Sequence, residues 1–384
     1  MSETSPERLR ALADHSLALI RAGQAASGAY VASPTFAVYR YCWLRDGAFI
    51  ADAMSRAGEI DSAEAFFGWC ARVLVDRRGQ VDALLIRHAV GESIPMSEML
   101  HTRYTLDGGE SDADWENYQL DGYGTWLWAL DEHCRRHDRS IEPFLDGAAL
   151  SAAYIAAFGT QPSYDWWEEH PIERHTSTLA AVHAGLRAVA SWPELAPDRR
   201  ASAAEAALDM AALVRVDAAR LGRLSKWLGG STVDASLLAV ATPFDLLAVD
   251  DPLMVATTHQ IETDLVHAGG VHRYPQDTFY GGGEWLLLAA LLGWHQLRSG
   301  RTAEARAQLD WIARHATAAG DLPEQVDDHL LAPEAAATWI ERWGPVATPL
   351  LWSHAMFLTL GLELGTVHPS VSATDHRSLP AVHT

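Results

Sequence analysis

The sequence is poor in cysteine and in basic side chains. Its 384 residues include only Cys42, Cys70 and Cys134, which lie too far apart for a CxxC metal or redox pair. We therefore expect three buried free thiols. Lys226 is the single lysine and the formal net charge is −21, so the chain lacks the basic face that a nucleic-acid partner requires. An uncharged small-molecule ligand fits this composition better.

Long hydrophobic runs and targeting signals are also missing. No segment approaches the ~20 apolar residues of a membrane-spanning helix, so no membrane partner is expected. Residues 1–7 have neither the basic nor the apolar region of a signal peptide. The single asparagine, Asn117, is followed by Tyr-Gln and forms no glycosylation sequon. These features predict a cytoplasmic protein.

Apolar residues recur at i, i+3, i+4 and i+7 in many segments, whereas the period-two alternation of strands is rare. This pattern predicts an all-α fold of twelve helices, or six helical hairpins. Residues 285–292 are apolar nearly all round and 199–220 have a polar face, which favours an inner and an outer ring. The predicted helices are 6–23, 46–58, 61–77, 121–138, 145–158, 175–191, 199–220, 231–242, 253–268, 282–298, 301–319 and 348–364.

Long predicted loops separate several helices and contain a large share of the tryptophan, tyrosine, arginine and acidic residues. Such loops on a rigid helical scaffold are where binding and catalytic groups usually lie. Residues 366–384 are rich in Ser, Pro and His and are expected to be loosely ordered, which leaves 1–365 as a single catalytic domain. The long loops are 24–45, 78–120, 159–174, 269–281 and 320–347.

One loop contains two adjacent glutamates beside two adjacent tryptophans, in the heptad Tyr-Asp-Trp-Trp-Glu-Glu-His at 164–170. Indole faces favour a sugar face and disfavour a bare carboxylate, so either Glu168 or Glu169 could keep its proton near neutral pH. A glycosidase general acid requires that property. The alternative is an exposed acidic turn with both tryptophans in the core.

The first long loop ends in a group of aromatic and charged residues. Arg45 and Asp46 could provide a charged donor and acceptor for vicinal sugar hydroxyls, while Tyr39 and Trp43 supply flat faces. Asp46 could equally be a helix cap, and both roles can hold together.

Two further loops contain candidate cleft residues. Trp115 and Asn117 resemble cleft-lining groups, although the following Asp121 and Gly122 could merely open a helix. Glu324, in a Pro-led turn, could be a catalytic base that deprotonates a water, or a solvated surface glutamate.

The loop 271–285 concentrates hydrogen-bonding and aromatic groups around a triple glycine. This glycine run lacks the preceding strand and the GK[ST] tail of a phosphate-binding loop. The eighteen histidines show no HExxH or other tight ligand spacing, and no GxSxG nucleophile motif occurs. We therefore expect neither a metal nor a cofactor.

Taken in order, these loops resemble glycoside hydrolase family 15, the glucoamylase family, over roughly residues 30–360. The resemblance implies an (α/α)6 barrel of six inner and six outer helices. It also implies that Glu168 is the general acid, Glu324 the general base and Glu169 a ligand of sugar hydroxyls. The matching motif residues are Tyr39, Trp43, Arg45, Asp46, Trp115, Arg273, Tyr274, Asp277, Tyr280, Trp285 and Trp352, and we add Asn117 and Trp167 as substrate-binding residues.

The sequence departs from the family pattern at two positions near the aglycone side. Fungal members have an arginine where Asn117 occurs and a proline where Glu284 occurs. The N-terminal β-sandwich of bacterial and archaeal members and the starch-binding module of many fungal members do not fit in this chain. The resemblance therefore predicts no polymer anchoring and leaves the specificity for the leaving group open.

The expected activity is exo-acting, inverting hydrolysis of short α-glucosides with release of β-D-glucose, isomaltose being the preferred substrate. Inversion requires the two carboxyl groups to lie roughly 6.5–9.5 Å apart. Maltose or short malto-oligosaccharides, and trehalose, are the alternative substrates. Two alternatives belong to other functional classes of protein. One is an α/α-ring sugar epimerase, which would use histidines as acid and base, and the other is a non-catalytic sugar-binding protein.

Overall fold

The computed structural model of the chain describes residues 4–111 and 115–367, which are mostly helical. Its six strands have two residues each and form three antiparallel pairs, β1 (Cys42–Trp43) with β2 (Arg103–Tyr104), β3 (Val266–His267) with β4 (Gly270–Val271), and β5 (Glu284–Trp285) with β6 (Gln325–Val326). The α-helices are α1 (Pro6–Ala22), α2 (Leu44–Arg56), α3 (Ile60–Asp76), α4 (Arg78–Ala89), α5 (Asp121–His137), α6 (Leu145–Phe158), α7 (Thr176–Ala190), α8 (Pro197–Leu221), α9 (Pro252–Asp264), α10 (Leu286–Arg298), α11 (Thr302–Arg314), α12 (Pro333–Trp343) and α13 (Leu351–Glu363).

Six elements close into an inner ring. α2 contacts α5, α5 contacts α7, and α7 contacts the 3-10 helix Ala235–Val240, which contacts α10; α10 then contacts α13, and α13 returns to α2. One outer helix packs beside each of them: α3 on α2, α6 on α5, α8 on α7, α9 on the 3-10 helix, α11 on α10 and α1 on α13. This double ring confirms the predicted (α/α)6 barrel.

Burial follows the two rings. The inner helix α10 is buried on all sides from Leu286 to Gln296. The outer helix α8 buries a single stripe of small and apolar residues at helical spacing. The stripe consists of Ala203, Ala207, Met210, Val214 and Ala218.

Two inner helices approach each other at glycines. A Cβ atom at Gly124 of α5 would lie 2.3 Å from the carbonyl oxygen of Ala181 in α7, and one at Gly185 would lie 2.5 Å from the carbonyl oxygen of Gly124. Any larger residue would force the helices apart. This close contact fixes the start of α5 beside the loop that precedes α7.

The structure differs from the predicted helices in several places. The predicted helix 231–242 is only the 3-10 helix Ala235–Val240, whose six residues are all buried. The helices α4 and α12 lie in the predicted loops 78–120 and 320–347. The helix predicted at 282–298 begins at Leu286, because Gly282 has a φ of 70° and β5 pairs with β6 just before the helix.

The core runs through both rings as one cluster of buried residues from Leu9 to Val367. The three cysteines are buried free thiols, as predicted. The continuous core supports the prediction that residues 1–365 form a single domain, which stays a prediction. The predicted loose tail at 366–384 falls mainly on residues 368–384, which lie outside the described residues. No helix in the described part of the chain is long and apolar enough to cross a membrane.

Candidate active site

A cavity of about 570 Å³ opens at one end of the barrel, where the inner helices begin. Its walls come from the starts of α2 and α13 and from the loops that precede α7 and α10. The volume is within the usual range for a small-molecule site. The residues predicted from sequence that line it are Tyr39, Trp43, Arg45, Asp46, Trp115, Trp167, Glu168, Glu169, Arg273, Trp285, Glu324 and Trp352.

Glu168 lies in a tight turn held by Asp165. One carboxylate oxygen of Asp165 accepts hydrogen bonds from the backbone N–H groups of Trp167 and Glu169, both at 2.9 Å. Between them, Glu168 has a φ of 64°, in the left-handed region that residues with a Cβ seldom adopt. The turn aims the Glu168 carboxyl group at Trp43, whose Nε1–H donates to Oε1 at 2.6 Å.

Burial raises the pKa of Glu168 to about 7, although the nearby indoles Trp115 and Trp43 and the guanidinium of Arg45 lower it. The group can therefore carry a proton near neutral pH. Glu169 points elsewhere, so burial rather than repulsion from Glu169 is the main cause. From the sequence alone, the adjacent carboxylate of Glu169 would also be expected to help keep Glu168 protonated, because like charges disfavour ionisation, but Glu169 is not among the main causes of the raised pKa.

Glu324 approaches the cavity from the other side, immediately before β6. Its backbone N–H donates to Ala347 at 2.9 Å, and its Oε1 accepts a hydrogen bond from the hydroxyl of Tyr39 at 3.1 Å. Burial raises the pKa of Glu324 to about 8, and the charges of Asp46 and Glu168 add to this rise. Its Oε2 is buried and has no hydrogen-bond partner among the described residues.

Two adjacent rings hold the two carboxyl groups in place. Tyr39 bonds Glu324 and Trp43 bonds Glu168, and the centroids of the two rings lie 5.6 Å apart at an interplanar angle of 78°. Glu168 and Glu324 therefore face one cavity from different loops. A carboxyl separation of roughly 6.5–9.5 Å stays a prediction.

Arg45 and Asp46 lie deep in the cavity, in the first turn of α2. Arg45 Nη1 donates to Gln119 at 2.8 Å and to Asp121 at 3.0 Å, and its Nη2 lies 3.4 Å from Asp46. Burial raises the pKa of Asp46 to about 6. These contacts fix a donor and an acceptor side by side against Trp352, whose ring centroid lies 5.3 Å from the guanidinium.

Arg273 and Glu169 form a second polar wall. Asp277 binds the guanidinium of Arg273 through both oxygens, and Arg273 Nη2 reaches Glu169 Oε1 at 3.5 Å. The hydroxyl of Tyr274 donates to the other oxygen of Glu169. The rings of Trp167 and Trp285 lie 5.2 and 5.3 Å from the guanidinium, so charged groups and flat faces alternate here.

The rim comes from α12, which the sequence prediction missed. This helix has no buried residue, yet Trp339, Arg342 and Trp343 line the cavity. Trp343 stacks on Trp115 with centroids 5.8 Å apart. The i, i+4 spacing of the two α12 tryptophans was the available signal.

Arg103 on β2 was missed as well. Its guanidinium lies 4.0 Å from the ring centroid of Trp115 and 5.1 Å from that of Trp43, and its Nη1 donates to the carbonyl oxygen of Val38. Arg103 thus fixes the two indoles that border Glu168. The sequence gives little indication of this role, because a single arginine in a long predicted loop belongs to no motif and to no helical or strand pattern.

Two predicted substrate-binding residues are not among the cavity-lining residues. The hydroxyl of Tyr280 donates to the carbonyl oxygen of Gly344 at 2.9 Å, and its ring stacks on Trp339. Asn117 is partly buried, and its backbone carbonyl oxygen accepts a hydrogen bond from the backbone N–H of Thr102. Direct sugar contact by these two side chains stays a prediction.

No group of three or more His, Cys, Asp or Glu in residues 4–111 and 115–367 is arranged to hold a metal ion. The polar groups of the cavity are instead carboxyls and guanidiniums interleaved with indoles. Such a lining can bind an uncharged, hydroxyl-rich ring and can give and take protons.

Comparison with known proteins agrees with this chemistry. The sequence model described as Glycosyl hydrolases family 15 matches residues 7–300. The chain is 49% identical over 369 residues to the isomaltose glucohydrolase of Kribbella flavida, covering 94% of this chain and 95% of that protein. It is 28% identical to a trehalase of Mycolicibacterium smegmatis over 65% of this chain and 40% of that protein.

Solved structures give the same result. A wild-type glycosidase superposes with a TM-score of 0.92 at 48% identity, covering 94% of this chain and 98% of that one. A variant of a glycosidase in complex with glucose superposes equally well, with a TM-score of 0.92. The glucoamylase from Saccharomycopsis fibuligera, at 14% identity and a TM-score of 0.72, shares the fold. The chain is therefore a glycoside hydrolase and belongs to glycoside hydrolase family 15.

Proposed function

We propose that the protein is an inverting, exo-acting α-glucosidase that releases β-D-glucose from the non-reducing end of short α-glucosides, with isomaltose preferred. The observation that carries the proposal is the pair of buried carboxyl groups, Glu168 and Glu324, which face one cavity and have raised pKa values. The isomaltose activity named for the 49% identical relative supports the choice of substrate.

In the proposed reaction, Glu168 donates its proton to the glycosidic oxygen as the bond from C1 to that oxygen breaks. A water on the opposite face of the sugar attacks C1 and gives a proton to Glu324. The products are β-glucose and the free alcohol of the leaving sugar. Glu168 is then ionised and Glu324 protonated, and exchange with solvent restores the starting state.

Burial raises the pKa of both groups, yet a general base must be ionised to accept a proton. The proposed reaction therefore requires something that lowers the pKa of Glu324. The buried Glu324 Oε2 without a protein partner supports a role in holding the attacking water. A water that donates to this oxygen favours the ionised carboxylate and lowers the pKa of Glu324. Binding of water and sugar would in this way produce the active protonation state.

The depth of the lining residues supports an assignment of the two sugars of the substrate to the two ends of the cavity. The buried Arg45 and Asp46 would hold the hydroxyls of the non-reducing glucose, and Arg273 and Glu169 would bind it from the side. The rim residues Trp115 and Trp343 would face the leaving sugar. A buried end that binds the non-reducing glucose suits exo attack on a short substrate.

The substrate alternatives are maltose with short malto-oligosaccharides, and trehalose. Trehalose has a specific observation in its favour, since a trehalase is among the relatives. That relative matches over only part of its length, so isomaltose remains the better supported substrate. A short imported disaccharide as substrate also suits the cytoplasmic location that we propose.

Initial rates on isomaltose, maltose and trehalose, with NMR observation of the first anomer released, test the proposal. We expect the highest kcat/KM on isomaltose and β-glucose as the first product. Glu168→Gln should abolish turnover of isomaltose and preserve the fold. α-Glucose as first product contradicts inversion, and full hydrolytic activity in Glu324→Ala contradicts the role of Glu324 as base. An epimerase would convert a sugar without releasing glucose from isomaltose and would not need Glu324. Glucose binding without turnover would indicate a sugar-binding protein.

A further inference from the structure

The single lysine of the chain is buried beside the catalytic turn. Lys226 has a side chain that is 3% exposed, and its Nζ lies 3.1 Å from a carboxylate oxygen of Asp165 and 3.1 Å from one of Asp234. The same Nζ lies 3.9 Å from Glu169 and 3.5 Å from the ring centroid of Tyr274. Lys226 does not line the cavity.

The ion pairs keep this lysine charged. Burial by itself would lower the pKa of Lys226, but the charges of Asp234, Asp165 and Glu169 raise it above its ordinary value. Lys226 in turn lowers the pKa of Asp165 against the effect of burial. A buried charged cluster contributes little net stability, because desolvation offsets the attraction between the ions. Its geometry is therefore the more informative property.

The two carboxylates beside Lys226 hold the turn that carries the general acid. Asp165 accepts the backbone N–H groups on both sides of Glu168. Asp234 accepts a hydrogen bond from Trp167 Nε1 at 2.9 Å. Lys226 thus links Asp165, which holds the backbone of the turn, to Asp234, which holds the indole of Trp167.

The backbone of Lys226 is fixed as well. Its N–H donates to the carbonyl oxygen of Thr232 at 2.8 Å, and its carbonyl oxygen accepts from the N–H of Thr176 at the start of α7 at 3.0 Å. The ammonium group is therefore anchored to an inner helix of the barrel. A cation anchored in this way can hold Glu168 in its strained backbone conformation.

We propose that Lys226 is a positioning residue of the hydrolase, whose buried charge bridges Asp165 and Asp234 and thereby aims Glu168 at the glycosidic oxygen. The inference rests on the proposed function, because it assigns Glu168 the role of proton donor. Lys226 itself touches neither substrate nor reacting atoms in this role. Its removal should impair proton donation more than sugar binding.

The test compares isomaltose with α-D-glucosyl fluoride in Lys226→Met and Lys226→Arg. When the bond from C1 to fluorine breaks, fluoride leaves as a weak base and needs little help from a proton donor, while water still requires Glu324. In Lys226→Met we expect kcat on isomaltose to fall by about 100-fold, the effect of misplacing a catalytic group by about 1 Å. The fall on glucosyl fluoride should be at least about tenfold smaller. Lys226→Arg, which keeps the charge, should recover part of the isomaltose activity.

Arg56→Met is the matched control. It removes a cation from the buried Asp52, 2.7 Å away, at the opposite end of α2 from the cavity. This control should lower the thermal unfolding midpoint and affect both substrates equally. If Lys226→Met does not fold, Lys226→Met/Asp234→Asn removes one unpaired buried carboxylate and allows the same comparison.

Equal losses on the two substrates in the folded Lys226 variant, or no loss, overturn the positioning role and leave the proposed function intact. A wild-type protein that cleaves neither substrate overturns the proposed function and this inference with it. A larger loss on isomaltose than on the fluoride, absent in Arg56→Met, supports the inference.

Discussion

The catalytic turn places its most important residue in an unfavourable backbone conformation. A left-handed φ costs a residue with a Cβ about 1–3 kcal/mol, and Glu168 has a φ of 64°. The two amide hydrogen bonds to Asp165 on either side of Glu168 offset this strain. The left-handed conformation points the carboxyl group of Glu168 away from Glu169 and towards Trp43, so that the two adjacent glutamates have different partners.

At the same residue, loss of the Trp43 hydrogen bond should change the pH dependence of activity. Burial raises the pKa of Glu168 and the bond from Trp43 Nε1 lowers it, because a donated hydrogen bond favours the ionised form. In Trp43→Phe the pKa of Glu168 should rise further, so the general acid stays protonated to higher pH. We expect the high-pH limb of kcat for isomaltose, which reports the enzyme with substrate bound, to move up by about one pH unit.

Trp69→Phe is the matched control for this change. Trp69 is a fully buried tryptophan whose Nε1 has no hydrogen-bond partner among the described residues, so the same substitution removes no donated bond. Its pH profile should match that of the wild type. A Trp43→Phe profile that stays in place, or moves to lower pH, contradicts the role of the indole in setting the acid's pKa.

Among individual residues, the sequence allowed prediction of several that line the cavity where they lie in compact motifs. Trp43, Arg45 and Asp46 lie within four positions at the start of α2, so the local helix geometry brings them together without any long-range contact. Arg103 and Trp343 line the cavity as well, but they could not be assigned in this way, because neither belongs to a compact motif. Their roles depend on contacts between distant segments, which local pattern does not contain.

At the scale of elements, α12 decides the shape of the rim. This helix packs on the turn Phe279–Gly281 and presents Trp339, Arg342 and Trp343 to the cavity. It lies beyond residues 7–300, the part of the chain that the family model matches. A helix that forms the rim and leaves the catalytic groups untouched is suited to set the preference for the leaving sugar.

Removal of one indole from α12 should therefore weaken disaccharide binding selectively. In Trp343→Ala, KM for isomaltose should rise by about tenfold, the equivalent of roughly 1.4 kcal/mol, because the leaving sugar loses the apolar face of one indole. The inhibition constant of glucose, which occupies the deep end in our proposal, should stay unchanged. Steady-state kinetics with isomaltose and glucose measure both values.

Ile340→Ala provides the control within the same helix. Ile340 is 51% exposed and does not line the cavity, so this variant tests whether any weakening of α12 produces the effect. It should leave KM for isomaltose near the wild-type value. An equal rise of KM and of the glucose inhibition constant in Trp343→Ala would mean that α12 does not distinguish the two ends of the cavity.

Element prediction from sequence succeeded where a helix buries a face and failed where it does not. α8 could be predicted from one stripe of buried residues, whereas α12 buries none and α4 buries only Val81 and Leu84. The 3-10 helix Ala235–Val240 failed for the opposite reason. All of its residues are buried, so no periodicity distinguishes it from an α-helix.

At the scale of the whole molecule, the site concentrates carboxyl groups within a chain that already has a net charge of −21. Burial raises the pKa of Glu168 to about 7, of Glu324 to about 8 and of Asp46 to about 6. Each of these groups is less easily ionised in the folded protein than in the unfolded chain. The catalytic arrangement therefore lowers stability wherever the pH forces ionisation.

Because ionisation of the buried carboxyl groups lowers stability, we expect the double variant Glu168→Gln/Glu324→Gln to be more stable than the wild type, by an amount that depends on pH. Between pH 4.5, the ordinary value for glutamate, and about 8, the folded wild type binds more protons at these sites than the unfolded chain, so its stability falls as the pH rises. Glutamine does not titrate and escapes this loss. The free energy of unfolding of the variant should exceed that of the wild type by an amount that grows across this window, reaches on the order of a few kcal/mol and levels off above pH 8.

Thermal unfolding midpoints measured from pH 4.5 to 9 for both proteins test the prediction, and Glu98→Gln/Glu304→Gln serves as the control. Side-chain or backbone hydrogen bonds lower the pKa of these two exposed glutamates, so their contribution to stability is complete above pH 5 and is lost only as the pH falls through the folded values. The control curve should therefore run parallel to that of the wild type above pH 5. If the curve of the catalytic double variant is parallel as well, the two carboxyl groups are not destabilised by burial, and the physical basis for a protonated Glu168 near neutral pH is lost.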